Sequence, residues 1–211
     1  YEICACLVGS GDVYKRQHLI RIWEEKNKMR VIAGSRRSLP LKTPAGTDTR
    51  PTEDRTKETL FNVLQSDIYG ARFLDLFSGS GGIAIEALSR GAEMAVLVEN
   101  NVTAINCINE NLKFTKFTDK AILMQADVFA ALDRLKGGLP FDIVFMDPPY
   151  KAGYEPEVFN RLKSCDYITE DTIIIVEASQ KTDFDFLDDE GFEIYKTKVY
   201  KTNKHVFIRR K

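Results

Sequence analysis

FLDLFSGSGG, residues 73–82, predicts a strand, a glycine turn and a helix in direct succession. The first residues are apolar, and a helical pattern runs from Ile83 to Leu88. Gly79 and Gly81 allow positive φ and let a ligand approach the backbone closely, while the free amides at a helix start favour negative or electron-rich groups. The stretch therefore predicts a ligand-binding turn in an α/β fold.

Two ligand classes fit this turn. Gly79, Gly81 and Ala84 match the spacing of a dinucleotide fingerprint, so an NAD-dependent oxidoreductase is one interpretation. Asp75 favours another, because a carboxylate at the end of the strand can order the turn and reach a cationic amino-acid group. S-adenosylmethionine carries such a group, and NAD does not. We therefore predict a cofactor site that includes Asp75, Phe77, Gly79 and Gly81.

Two further acidic residues follow apolar runs. The run 94–98 ends in Glu99, about twenty residues after the first glycine, the spacing at which a carboxylate binds ribose hydroxyls. Asp127 follows the run 121–124 and can accept from an adenine amino group or cap the helical pattern that begins at Val128, and the two roles are compatible. We predict nucleoside contacts from Glu99, Asn100, Asp127 and Val128.

The second motif is Asp147-Pro148-Pro149-Tyr150, which follows the apolar run 143–146 and so lies where a buried strand ends in a loop. Two prolines remove two backbone donors and leave carbonyl oxygens and one carboxylate to face a pocket, which suits an amino group. The Tyr150 ring offers a flat face on which an extruded base can stack. The alternative is a proline-rich turn capped by a buried tyrosine.

These groups suit methylation of an exocyclic amine. The lone pair of such an amine is delocalised into the base, so acceptors for both N–H groups are needed to draw the nitrogen toward tetrahedral geometry. Asp147 and the Pro148 carbonyl are the predicted acceptors, Tyr150 stacks on the base, and Pro149 stiffens the loop. Asp147 or water takes the proton, and no metal is needed.

Together the motifs resemble the class I S-adenosylmethionine-dependent methyltransferases, and within them the RsmD-like guanine-N2 methyltransferases of small-subunit ribosomal RNA. The resemblance covers residues 29–34, 50–55, 58–62, the glycine turn, 86–90 and 147–150. The segment from Arg50 to Asn62 distinguishes the ribosomal RNA branch, since the other motifs occur in many amino-methylating enzymes. One departure is Asn100, where relatives often carry Asp.

The resemblance implies S-adenosylmethionine as cofactor and ribosomal RNA as partner, either free or within an assembling small subunit. An adenine-N6 DNA methylase and a protein-glutamine methylase are alternatives, because both act on an NH₂ group. Outside methyl transfer, the alternatives are the NAD-dependent oxidoreductase and an RNA-binding module without activity.

Composition favours a soluble enzyme with one core. The chain has 211 residues, 44% of them hydrophobic, and no apolar run of the length that a membrane helix needs. The four cysteines lack the paired spacing of a zinc site, and neither His18 nor His205 has an acid partner that the sequence pattern reveals. We expect a monomeric, cytoplasmic enzyme without a metal.

The chain divides at Met29. Residues 1–28 follow neither a helical nor a strand period and lack the ordered regions of a signal peptide, so we expect a leader that is not native. A native helix over 19–26 is the alternative. Residues 29–211 are expected to form a single methyltransferase domain whose basic N-terminal arm covers 29–57.

Strand and helix patterns alternate over the rest of the chain, which predicts a Rossmann-like, mostly parallel sheet of seven strands with helices on both faces. The expected strands are 72–77, 94–98, 120–125, 141–146, 172–177, 192–199 and 203–209. Only a short polar turn separates the last two, so they are expected to form an antiparallel hairpin. A dehydrogenase would need a second domain, for which little chain remains.

Positive charge is concentrated at two places although the net charge is −1. Residues 29–57 hold seven cations against three acids, and 196–211 hold seven cations and no acid. Cationic, loop-rich segments bind phosphate backbones, so we predict RNA contacts from Arg36, Arg37, Arg50 and Arg55, in addition to Tyr150 on the base. The alternative, which has equal weight for the C-terminal group, is solvated surface charge.

Overall fold

A computed structural model describes residues 29–44, 51–149 and 153–211 of the chain. The predicted leader 1–28, Arg50 and Tyr150 lie outside the described residues.

Strands and helices alternate along the described chain. The strands are β1 (Arg72–Asp75), β2 (Met94–Glu99), β3 (Ala121–Gln125), β4 (Ile143–Met146), β5 (Ile173–Ser179), β6 (Phe192–Val199) and β7 (Asn203–Arg210). The helices are α1 (Pro51–Val63), α2 (Gly82–Ser89), α3 (Val102–Thr115), α4 (Val128–Arg134) and α5 (Tyr154–Leu162). Short 3-10 turns occupy Gly34–Arg36, Thr118–Lys120 and Asp185–Leu187. Every predicted strand is present, with ends that differ by two residues at most.

The described strands form one sheet in the order β3-β2-β1-β4-β5-β7-β6. Neighbours from β3 to β5 are parallel, whereas β7 is antiparallel to both β5 and β6. This confirms the mostly parallel sheet and its C-terminal hairpin. From β1 the chain adds strands toward one edge of the sheet, and from β4 it adds them toward the other edge, so β1 and β4 form a topological switch point. At such a point the carboxyl ends of the strands open a crevice for a ligand.

Alternate residues of β2, β4 and β5 pack into two apolar layers, which explains why each of these strands is an almost continuous apolar run. Leu74 and Val144 pack on one face with residues of α4 and α5. Phe73 and Phe145 pack on the other face with residues of α1, α2 and α3. Both faces of the parallel strands are thus covered, and the strand ends remain available for function.

Residues 29–44 are folded onto the α2 face through Glu86, a fully buried carboxylate. Its two oxygens accept the backbone N–H groups of Ile32 and Ala33, at 2.7 and 3.0 Å. Arg90 donates to it at 2.7 Å, and the Lys57 ammonium lies 3.8 Å away. The segment is loop-rich, as expected, but it is docked rather than free, and α1 begins at Pro51 within the predicted arm.

Asn111 of α3 makes a second attachment of the same segment. Its amide Nδ2 donates to the carbonyls of Lys42 and Ser80, both at 2.9 Å, while its Oδ1 accepts from the Lys42 N–H at 2.8 Å. One buried side chain therefore joins the N-terminal segment to the glycine turn that precedes α2.

No helix in the described ranges is long and apolar enough to cross a membrane.

Candidate active site

A cleft of about 360 Å³ lies at the carboxyl ends of β1, β2, β3 and β4. Its lining includes nine residues predicted from the sequence: Phe77, Gly79, Glu99, Asn100, Asp127, Val128, Asp147, Pro148 and Pro149. Leu76, Val98, Ala126 and Tyr154 complete it. The glycine turn and the proline-rich loop, about seventy residues apart in sequence, therefore meet in one cavity because β1 and β4 are neighbours in the sheet.

The two glycines of the turn have different roles. Both have positive φ, +53° at Gly79 and +76° at Gly81. A Cβ on Gly79 would meet no atom within 4 Å, and this residue faces the cleft. A Cβ on Gly81 would lie 3.2 Å from the Leu97 side chain and 3.4 Å from that of Ile108. Gly81 therefore lets α2 start close to the sheet, while Gly79 leaves backbone exposed to a ligand.

Glu99 holds the glycine turn in place. Its Oε2 accepts the Gly79 N–H at 2.8 Å, and its Oε1 accepts the N–H groups of Asn100 and Asn101 at 2.9 and 2.8 Å. A carboxylate offers about four acceptor positions, so three backbone donors leave one on Oε2 for a ligand hydroxyl. The predicted ribose contact is compatible with this geometry, but the sequence did not reveal that Glu99 also fixes the loop.

Asp75 lies beneath the glycine turn, 1% exposed and outside the cleft lining. Neither carboxylate oxygen has a hydrogen-bond partner of normal geometry in the part of the chain that the structure describes. Burial raises the pKa of Asp75 to about 7, with a smaller contribution from the charge of Glu99, and the nearby amides of Phe77 and Ala84 offset this only in part. A buried acid without a partner is suited to a ligand cation.

Asp127 caps α4, since its side chain accepts the Phe129 N–H at 2.9 Å. It also lines the cleft, so the predicted cap is confirmed and its contact with adenine stays a prediction.

Tyr154 was not predicted as a site residue. Its ring lies edge-on to Phe77, with centroids 5.3 Å apart, and stacks on Phe129 at 5.8 Å. An aromatic wall of this kind suits a purine ring. The sequence signal was weak, because Tyr154 does not follow a strand directly but starts a helix four residues after the proline motif.

The proline-rich loop joins the cleft through a buried Pro148, whereas Asp147 and Pro149 are exposed. The Leu76 N–H donates to the Phe145 carbonyl at 3.0 Å, which fixes the end of β1 against the end of β4. The acceptor groups of the loop are therefore held at a defined distance from the glycine turn.

The predicted RNA-binding arginines differ in their surroundings. Arg37 and Arg55 are exposed. Arg36 is half-buried, with Nε donating to the Thr115 carbonyl at 2.7 Å and the guanidinium 5.3 Å from the centre of the Phe117 ring. Arg36 thus has a structural role that the charge pattern did not show, and its RNA contact stays a prediction.

Several C-terminal cations also have structural partners. Arg209 pairs with Glu193 and Lys211 with Asp188, both at 2.7 Å. Arg210 donates to three carbonyls at the end of α5 and just after it, the nearest being that of Lys163 at 2.7 Å. These contacts favour the surface-charge interpretation at the C-terminus.

His205, for which the sequence revealed no acid partner, has one in the structure: its Nε2 lies 2.9 Å from Oε2 of Glu177. The two residues are adjacent only because β5 and β7 pair antiparallel. In the described ranges, no group of three or more His, Cys, Asp or Glu side chains could hold a metal ion.

A family model called Conserved hypothetical protein 95 matches residues 29–209. The chain belongs to this family. The match begins at the residue where the sequence resemblance begins, and it spans both the glycine turn and the proline-rich loop.

Named relatives agree with this membership. The chain is 39% identical over 156 residues to "Putative rRNA methyltransferase YlbH" of Bacillus subtilis, covering 74% of this chain and 85% of the relative. It is 36% identical over 151 residues to "Ribosomal RNA small subunit methyltransferase D" of Escherichia coli, covering 72% and 75%. A solved structure titled "Putative methyltransferase yhhF from Escherichia coli" superposes with a TM-score of 0.74 at 31% identity, covering 87% of this chain and 98% of that one. The resemblance to RsmD-like methyltransferases is confirmed.

Proposed function

We propose that this protein transfers a methyl group from S-adenosylmethionine to the exocyclic N2 amine of a guanine in small-subunit ribosomal RNA. One observation carries the proposal: Asp147, Pro148 and Pro149 line the same cleft as Gly79, Glu99 and Asp127. An amine held by the first group would face a methyl donor held by the second.

The residues of the cleft fit S-adenosylmethionine. The open backbone at Gly79 permits close approach of a ligand, and the buried Asp75 carboxylate, which lies beneath the turn and outside the cleft lining, would favour a cationic amino-acid group above it. Glu99 retains one acceptor position for a ribose hydroxyl, and Tyr154 with Phe77 offers an aromatic wall for adenine. A cavity of about 360 Å³ lies in the range of roughly 300–1,000 Å³ for small-molecule sites.

When bound, S-adenosylmethionine supplies a methyl carbon that its sulfonium already activates. Asp147 accepts one N–H of the target amine and the Pro148 carbonyl accepts the other, which turns the nitrogen lone pair toward that carbon. The amine loses a proton when it is methylated, and Asp147 or water would accept that proton. Positioning supplies most of the rate, since correct alignment of two reactants is worth about 7–11 kcal/mol.

The choice of ribosomal RNA rests on the relatives, since one at 36% identity is named a small-subunit ribosomal RNA methyltransferase. The exposed cations Arg37 and Arg55 provide phosphate contacts that such a substrate needs. Base stacking is assigned to Tyr150.

Asp147→Ala tests the proposal. Labelled methyl transfer to small-subunit ribosomal RNA, free and in subunits, should fall at least about 100-fold, as for loss of one preorganised polar contact to the reacting group. Calorimetry should show S-adenosylmethionine affinity within a few fold of the wild type. Asp171→Ala, which removes an exposed aspartate that is not part of the cleft, is the matched control and should leave both values unchanged.

Retained turnover in Asp147→Ala would remove this residue from the mechanism. Label on adenine N6 or on protein glutamine would show that the methyl acceptor is not guanine. Binding of NAD in place of S-adenosylmethionine would indicate an oxidoreductase instead of a methyltransferase.

A further inference from the structure

A polar network lies at the end of β5, next to the proline-rich loop. Glu177 Oε2 is 2.9 Å from His205 Nε2, and the Asn203 amide donates to Glu177 Oε1. His205 is 1% exposed, and its Nδ1 lies 3.0 Å from the Tyr200 hydroxyl. With the hydroxyl donating to Nδ1, Nε2 carries a proton and donates it to Glu177. The carboxylate is thus fixed from two sides.

Glu177 does not itself line the cleft, but the register of the sheet places its backbone next to that of Asp147. Met146, the last residue of β4, pairs with Val176 of β5. Continued by one residue, this register places Asp147, which follows β4, next to Glu177, which lies within β5. The spacing between such strands is about 4.8 Å. Phe145 and Ile175, two residues earlier in the chain, pack in the same apolar layer. Because residues i and i+2 of a strand line the same face, Asp147 and Glu177 are expected on that face too.

The Glu177 carboxylate can accept more hydrogen bonds than those from His205 and Asn203. Its side chain is 18% exposed, and its two contacts occupy two of about four acceptor positions. Acceptor capacity therefore remains in a carboxylate whose orientation is already set, beside the residue that would bind the target amine.

The bases differ in the atom that adjoins their exocyclic amine. In guanine the N2 amine is flanked by N1–H, a donor, whereas in adenine the N6 amine is flanked by N1, an acceptor. An extruded base is read on this Watson–Crick edge. A second carboxylate beside Asp147 would accept the guanine N1–H and would repel the lone pair of adenine N1.

We propose that Glu177, oriented by His205 and Asn203, accepts the N1–H of the target guanine and so selects guanine over bases with an acceptor at N1. This inference rests on the proposed function and adds a specificity-determining residue to it.

The test compares guanine with 2-aminopurine, which keeps the 2-amino group but has an acceptor at N1. The methylated position is first mapped with the wild-type protein, and RNA carrying either base at that position is then prepared. Wild-type kcat/KM should be about ten- to a hundredfold lower on 2-aminopurine, the range for one hydrogen bond to a charged group. In Glu177→Gln, the amide NH₂ can donate to N1, so the ratio of 2-aminopurine to guanine should rise at least tenfold.

If Glu177 acts only in folding, Glu177→Gln would lower kcat/KM for both substrates by the same factor. The ratio of the two values would then be unchanged, which would overturn the inference. Thermal unfolding and S-adenosylmethionine affinity of the variant are measured beside the kinetics. Glu193→Gln, which removes a charge paired with Arg209 at the far end of the hairpin, is the control and should leave the ratio unchanged.

The wild type alone also tests the inference, whether or not the variant folds. Equal rates on guanine and 2-aminopurine would refute it. Failure of the wild type to methylate any guanine would instead refute the proposed function.

Discussion

Asp75→Asn should remove a loss of stability that the wild-type protein suffers as pH rises, and it should weaken the binding of S-adenosylmethionine. The Asp75 carboxyl is 1% exposed, and burial raises its pKa to about 7. In the unfolded chain the same group titrates near 3.8. Between these values the unfolded state loses a proton that the folded state keeps, so the contribution of Asp75 to stability falls as pH rises.

The magnitude follows from the width of that window. Each unit of pKa difference is worth about 1.4 kcal/mol, so ionisation of Asp75 removes about 4 kcal/mol between pH 4 and pH 8. The loss accumulates from about pH 4 to pH 7 and is constant above it. Asn has nearly the same shape and does not titrate, so the free energy of unfolding of the variant should lack this component.

Urea unfolding of both proteins at pH 4 to 8 measures the effect. The difference in unfolding free energy, variant minus wild type, should grow with pH by about 4 kcal/mol in total. Any constant cost of the buried amide shifts the whole curve and leaves its slope intact. Asp171→Asn, at an exposed position, should show no such slope.

A flat difference between Asp75→Asn and the wild type would refute the assignment of a buried, unpartnered acid. Calorimetry at pH 7.5 provides the second arm. Affinity for S-adenosylmethionine should fall about ten- to a hundredfold, because the amide oxygen can still accept a hydrogen bond from an ammonium group but lacks the negative charge that strengthens it. Undiminished affinity would show that Asp75 does not contact the amino-acid group.

Four further substitutions probe other contacts. Glu86→Gln leaves buried cations without their partner and should cost about 3–5 kcal/mol in urea unfolding, whereas a loss below 1 kcal/mol would contradict the docking contact. Arg37→Ala should weaken RNA binding and flatten its dependence on salt, and an unchanged slope would favour plain surface charge. Arg36→Ala is its contrast and should also lower the melting temperature, since Arg36 holds Thr115. Glu99→Gln turns an amide toward backbone N–H groups and should weaken S-adenosylmethionine binding at least tenfold in calorimetry, an effect absent in the exposed control Glu110→Gln.

Much of the fold was predictable because parallel strands buried on both faces leave continuous apolar runs in the sequence. The cleft was predictable for a related reason. Most of its residues lie at the ends of these runs or directly after them, as Gly79, Glu99 and Asp147 do, so the strand ends in the sequence point to the site residues.

Contacts between distant parts of the chain were not predictable. Glu86 looks like an ordinary helix carboxylate until the N-terminal segment folds over it, and Arg36 looks like a free cation until Thr115 is beside it. The contact between Glu177 and His205 depends on the pairing of β5 with β7, which the sequence pattern does not reveal. In each case the partner is 28 residues away or more, beyond the range of any local pattern.

Asn111 has a consequence for how the two ligands influence each other. Its single amide group bridges the carbonyl of Ser80, beside the cofactor loop, and that of Lys42, in the basic segment. A ligand that rigidifies the glycine turn should therefore also rigidify the N-terminal segment. Conformational entropy that is lost when the first ligand binds need not be lost again when the second one binds. We therefore expect bound S-adenosylmethionine to lower the entropic cost of binding RNA.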